Sequence, residues 1–207
     1  MVTSLLTPAA QTPVLENAWV RLEPLAHGHA EHLTAAVSVG DLWATWYTTI
    51  PTPEGMAADI DRRLALQADG RMAPWAIVSK ASGQAVGMTT YMNIDAPNRR
   101  VEIGSTWLGR AAQGTAVNPA ATLALLTRAF EELDCIAVEF RTHSHNAQSR
   151  AAITKLGAKQ DGVLRNHQVW SNGTLRDTVV FSIIDSEWPD VKRGLNSRLD
   201  AIGSRVE

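Results

Sequence analysis

Glu102 is the first residue whose setting suggests chemistry. It interrupts the apolar run Val101-Glu-Ile-Gly104, which reads as a strand. A carboxylate held among apolar neighbours loses hydration, so its pKa rises toward the range where it can take a proton from a reacting group. An alternating strand with Glu102 facing water fits the same letters. His143 and His145 close the next strand and are alternative bases, although no carboxylate in the sequence is evidently placed to orient them. Ser149 follows at the start of a helix. Its hydroxyl can donate a proton to a leaving group, or simply occupy the helix's first turn.

Two loop-to-helix junctions suggest a second kind of chemistry. In the first, Gln113-Gly-Thr-Ala116 lies between a strand and a helix, followed by Val117, Asn118 and Pro119. Small residues let backbone N–H groups approach a ligand, and the positive end of the helix favours a pyrophosphate. Asn118 could cap the helix, with Pro119 in its first turn. Ordinary turn requirements would select similar residues. In the second junction, Asn146 and Ser149 stand three apart after a strand and can share one helix face. Asn146 reads as a cap, and a capped helix start is also a polar surface that can meet a ligand.

These residues need a scaffold. Strands are expected at Val20–Pro24, Trp75–Val78, Ala85–Asn93, Val101–Trp107, Ile136–Thr142, Val163–Trp170 and Leu175–Ile184. Helices are expected at His27–Val39, Glu54–Asp69, Thr122–Leu133 and Ser149–Leu156. Asn172-Gly173 suits a two-residue hairpin turn, which would pair the last two strands antiparallel. The order is mixed α/β without regular alternation, which argues against a doubly wound sheet. Trp43, Trp46, Tyr91 and His167 could line a substrate pocket with His143, although core packing suits the tryptophans equally.

The 207 residues, 45% of them hydrophobic, supply one domain with a sizeable core. That domain is expected over 14–190, between a flexible segment at 1–13 and a tail at 191–207 with helical potential. With 19 basic and 21 acidic side chains, no global field favours nucleic acid. No apolar run is long enough to span a membrane, and Met1–Pro13 lacks the basic residue of a secretory leader, so the cytoplasm is the expected compartment. The lone Cys135 excludes an internal disulfide and reads as a buried thiol. His27, His29 and His32 are joined by no carboxylate or cysteine cluster at ligand spacing, so no metal site is expected.

Taken in order, Val101-Glu-Ile-Gly104, Gln113-Gly-Thr-Ala116 with Val117-Asn118, Asn146-Ala-Gln-Ser149, Lys155-Leu-Gly-Ala158, Asp177-Thr-Val-Val-Phe-Ser182 and Glu187-Trp-Pro189 resemble the GNAT superfamily of acyl-CoA-dependent N-acyltransferases. They are most similar to its ribosomal-protein N-terminal acetyltransferases and small-molecule relatives. The resemblance covers roughly Trp19 to Pro189. It implies a mixed, mostly antiparallel sheet splayed between two parallel strands, with helices on both faces. It also implies acetyl transfer from acetyl-CoA to a primary amine, of a small molecule or a protein N-terminus, by direct attack in a ternary complex. Gln113, Gly114, Thr115, Ala116, Val117 and Asn118 would hold the pyrophosphate. Trp107 and Leu108 would flank the pantetheine through their backbone, and Asn146 would hydrogen-bond the same arm. Ser149 would sit near the cofactor sulfur, and Glu102 would be the base. Ala111 departs from the family pattern, which has Gln or Arg there. A succinyl donor would want a cation, for which Arg99, Arg100 and Arg110 are available. A binding or regulatory protein that keeps the fold without turnover is the other alternative. The terminal hairpin offers an edge for pairing two copies.

Overall fold

The computed structural model describes residues 7–170 and 172–204. Its strands are β1 (Leu15–Glu16), β2 (Val20–Pro24), β3 (Met72–Ser79), β4 (Ala85–Asp95), β5 (Arg100–Leu108), β6 (Ala137–His143), β7 (Lys159–Val169) and β8 (Leu175–Ile184). They form one sheet in the order β1-β2-β3-β4-β5-β6-β8-β7. All neighbours are antiparallel except β5 and β6, whose parallel register covers only Arg100↔Ala137, Val101↔Val138 and Glu102↔Glu139. Beyond Glu102 the two strands part, and the expected splayed sheet is present.

The helices are α1 (Ala30–Val37), α2 (Met56–Ala68), α3 (Val117–Thr127), α4 (Ala147–Lys155) and α5 (Trp188–Gly203). Strand alternation sorts the core onto the two faces of the sheet. Trp75, Ile77, Tyr91 and Ile103 pack with Leu125 and Leu126 of α3 and Leu195 and Leu199 of α5. Ala76, Met88 and Trp107 face the other way, against Leu33 and Val37 of α1 and Met56 and Ile60 of α2. Ile103 and Trp107 are four residues apart and would share a face in a regular strand. They do not, because Thr90 pairs with Gly104 while Met88 pairs with Trp107, which leaves one extra residue in β5. This bulge inverts the alternation, and Ser105 within it has a φ of +47°.

Helix α3 begins five residues before the expected Thr122. Its first turn has no large apolar residue because Ala120 and Ala121 pack directly into the core, so the pattern of large side chains starts late. The helix then runs into a π-helical turn at Arg128–Glu132. The expected antiparallel pairing of β7 and β8 is present, but the hairpin is longer than a two-residue turn. It closes between Trp170 and Thr174, with positive φ at Gly173. Within the segment expected to be flexible, residues 7–13 make hydrogen bonds to the domain. The Arg128 guanidinium donates to Pro8 O, and the Trp75 indole N–H donates to Pro13 O. The expected flexibility of residues 1–6 concerns positions outside the described residues. Most of the expected tail is α5, where Trp188 stacks on Phe130 and Leu195 and Leu199 are buried. Cys135 is buried, which pushes its thiol pKa up to about 11. No described helix is long and apolar enough to cross a membrane.

Candidate active site

The parting of β5 and β6 opens a cleft of about 720 Å³. Residues 102–108 of β5 form one wall and residues 140–143 of β6 the other. The β6-facing edge of β5 has no strand partner beyond Glu102, so its backbone groups are free to meet a ligand.

Both loop-to-helix junctions reach one end of this cleft. Gln113, Gly114 and Asn118 line it from the first junction, and Asn146, Gln148 and Ser149 from the second. The Gln113 side chain donates to Leu108 O at 2.9 Å, folding the loop back on its strand. Gly114 has a φ of +74° and open space where a Cβ would stand. Asn118 does not cap α3. It is already inside the helix, and the Thr115 hydroxyl accepts the Val117 N–H at 3.2 Å instead. Among the described residues, the N–H groups of Gly114, Thr115, Ala116 and Asn118 have no internal acceptor, so four donors stand at the positive end of a helix. At the second junction Asn146 caps α4 by accepting the Ser149 N–H at 2.9 Å. That bond uses the amide oxygen of Asn146 and leaves its NH₂ and the Ser149 hydroxyl for other partners.

Glu102 lies beyond these junctions and is only 5% exposed. The Asn93 amide donates to its carboxylate at 2.6 Å, and Arg141 Nε stands 3.4 Å away. Burial raises its pKa above the ordinary carboxylate range; the Asn93 bond and Arg141 oppose the rise, and Glu139 adds to it. Gly104 matters here because a Cβ on it would come within 3.0 Å of Glu102 Oε1. Arg141 is shared with Glu139, which also holds Arg100. The β5 bulge is fixed from behind. Arg63, wholly buried on α2, is paired with Asp59 at 2.7 Å and donates to the Ser105 hydroxyl at 2.9 Å.

The pocket residues read from the sequence separate into three groups. His143 and His167 line the cleft. Trp46 is half exposed at its rim, with its ring 5.1 Å from that of His143. Tyr91 and Trp43 belong elsewhere. Tyr91 is fully buried, packs on Trp75 and donates its hydroxyl to Leu125 O, because an inward position on a central strand faces α3. Trp43 packs against the α1–α2 core. His143 is poorly suited as a base. Its Nδ1 accepts the His145 N–H at 3.0 Å, so the neutral ring carries its proton on Nε2. Burial also lowers its pKa. His145 is exposed. Of the three arginines considered for an acidic acyl group, Arg99 pairs with Asp134 and Arg100 with Glu139, leaving Arg110 to line the cleft. His27 and His29 contact Asp61 and Glu23 respectively.

The sequence reading missed Asn93, Arg141, Arg63 and Asp59. Asp59 and Arg63 have the i, i+4 spacing of a surface ion pair. The available clue was that Arg63 falls one turn after Ile60, on the apolar face of α2.

A model of the acetyltransferase (GNAT) domain matches residues 20–159. The chain belongs to the GNAT acetyltransferase family. Its fold superposes on that of a GCN5-related N-acetyltransferase from Brucella melitensis with a TM-score of 0.84 and 31% identity, over 93% of this chain and 87% of that one. Mycobacterium smegmatis RimJ, solved in complex with CoA-disulfide, shares the fold at a TM-score of 0.73 and 20% identity, over 90% and 93% of the two chains. By sequence the chain is 34% identical over 110 residues to a Bacillus subtilis (strain 168) protein named "Putative ribosomal N-acetyltransferase YdaF". That match spans 53% of this chain and 59% of YdaF.

Proposed function

We propose that this GNAT protein moves an acetyl group from acetyl-CoA to a primary amine by direct attack in a ternary complex. One observation carries the reading: the sheet parts immediately after Glu102, so a buried carboxylate and two donor-rich helix starts share one cleft. The free N–H groups of Gly114, Thr115, Ala116 and Asn118 would receive the pyrophosphate. Asn146 and the unpaired edge of β5 beside Trp107 and Leu108 would hold the pantetheine arm. Acetyl-CoA supplies an activated thioester carbonyl.

The chain's own groups then have three tasks. Glu102 takes a proton from the incoming ammonium, directly or through water, because only a neutral amine has a lone pair. N–H groups at the β5 bulge, held by Arg63, favour the negative charge that develops on the carbonyl oxygen. The Ser149 hydroxyl donates toward the departing sulfur. Acetyl-CoA and succinyl-CoA, each crossed with amines and short peptides and followed by thiol release, would test this. The expected result is amine-dependent release with acetyl-CoA. Binding of acetyl-CoA with no release across a broad amine panel would favour the non-catalytic alternative.

A further inference from the structure

The acceptor end of the cleft is walled by nitrogen donors that lack partners. Arg176 on β8 is half buried, and no carboxylate pairs with it among the described residues. Its Nη1 makes one long bond, 3.3 Å, to the Gln168 side chain, while its Nε is buried without an acceptor. The guanidinium lies over the Trp170 ring, 5.5 Å from the centroid. Guanidinium N–H bonds lie in the plane of the group, so a ring against the face steadies the fork without satisfying its edge.

His143 extends the same wall and is 3% exposed. Because its Nδ1 is occupied by the His145 N–H, its Nε2 carries hydrogen, and this buried donor also has no acceptor. The Trp170 indole N–H is a third. Glu102 is the one carboxylate among the cleft-lining residues, and it is already engaged by Asn93 and Arg141. A wall of unmet donors around a cation with no carboxylate in contact is costly unless a ligand completes it.

We infer that the acceptor amine also carries a carboxylate, and that Arg176, lying over the Trp170 ring and flanked by the Nε2–H of His143, is the group that receives it. This rests on the acetyl-transfer reading, because it places the amine at Glu102 and the carboxylate toward Arg176. Arg176 and Glu102 are within electrostatic reach, since the carboxylate supports the arginine's charge against its burial. A zwitterionic acceptor would thus meet each of its charges with the opposite one. The carboxylate could be the α-carboxylate of a free amino acid or an acidic side chain near a peptide N-terminus.

The test compares matched acceptors: amino acids against their α-amides, and short peptides with glutamate against glutamine at the second position. Wild type should favour the acid of at least one matched pair by about 10- to 100-fold in kcat/KM, the scale of a charge-assisted bond. Which pair responds identifies the source of the carboxylate. Arg176→Gln should bring that ratio close to one, mainly through KM, while Arg176→Lys keeps part of it. An unchanged acetyl-CoA Kd would show both variants folded. Equal use of acids and amides by wild type, or a preference that survives Arg176→Gln, would overturn the inference. Calorimetry of the same acids with CoA-saturated protein separates the two readings. Arg176-dependent binding without thiol release from any amine would remove transfer and keep the carboxylate site. Efficient acetylation of the amides would do the reverse, and neither binding nor preference would remove the site.

Discussion

The two ends of the cleft are built differently. The donor end consists of free backbone N–H groups at the start of α3 and of the Asn146 and Ser149 side chains at the start of α4, each set assembled from a handful of consecutive residues. The acceptor end consists of side chains from β4, β5, β6 and β8, brought together by sheet register and tied into the Asn93–Glu102–Arg141–Glu139–Arg100 network. Local backbone sites tolerate side-chain change so long as the turn can form. In a network of partly buried charges each member sets the ionisation of its neighbours, so a change at one is felt at the others. The two ends should therefore fail in different ways.

The largest expected effect comes from breaking the support that both ends share. Arg63→Ala empties a wholly buried side-chain site, leaves Asp59 with Arg62 as its remaining cation and releases the β5 bulge. Denaturant unfolding should show a loss of about 2–5 kcal/mol, the scale of truncating a large buried side chain. A loss below 1 kcal/mol would mean that the bulge holds without Arg63. At the donor end, Gly114→Val forces a β-branched residue into a positive φ, which costs about 1–2 kcal/mol. Acetyl-CoA affinity measured by calorimetry should fall about tenfold, while the acid limb of the rate profile stays in place. Asn146→Ala removes the α4 cap, for about 1 kcal/mol in thermal unfolding, and should weaken acetyl-CoA binding in step.

The donor end was also the more legible one. Gln113-Gly-Thr-Ala116 and Asn146-Ala-Gln-Ser149 could be read because capping and turn chemistry act over a few residues. Even so, Asn118 was misjudged as a cap, since Thr115 competes for the same task. The strands could be read from their apolar and β-branched residues and the pairing of β7 with β8 from Asn172-Gly173, while the splayed sheet was implied by the family resemblance. Tyr91 did not follow, because an aromatic on an inward strand position looks the same whether it meets a helix or a cleft. Asn93, Arg141 and Arg176 were hidden for another reason. Their roles depend on which strands are neighbours, and the β4 register that sets Asn93 beside Glu102 spans a bulge that spacing alone does not reveal.

The smallest expected effects sharpen the acceptor end. Arg141→Met removes a cation that favours ionised Glu102, so the acid limb of the rate profile should move to higher pH with acetyl-CoA binding retained. Glu102 also carries a stability cost with a definite sign. Its folded pKa is raised, so the folded state binds the proton more tightly than the unfolded chain does. At pH values below the ordinary carboxylate range both states are protonated and the cost vanishes. It grows as pH rises toward the folded pKa and is complete above it. Glu102→Gln should therefore raise the melting temperature at neutral pH relative to wild type, and the gain should shrink on acidification.

The most direct test of the account is the pH–rate profile of Glu102→Gln with acetyl-CoA and an accepted amine. Loss of the base should lower turnover by about 100-fold or more at weakly acidic to neutral pH. The deficit should narrow as the amine deprotonates unaided at alkaline pH, with the acetyl-CoA Kd unchanged throughout. A variant that turns over at the wild-type rate across that range would contradict the assignment of Glu102 as the base.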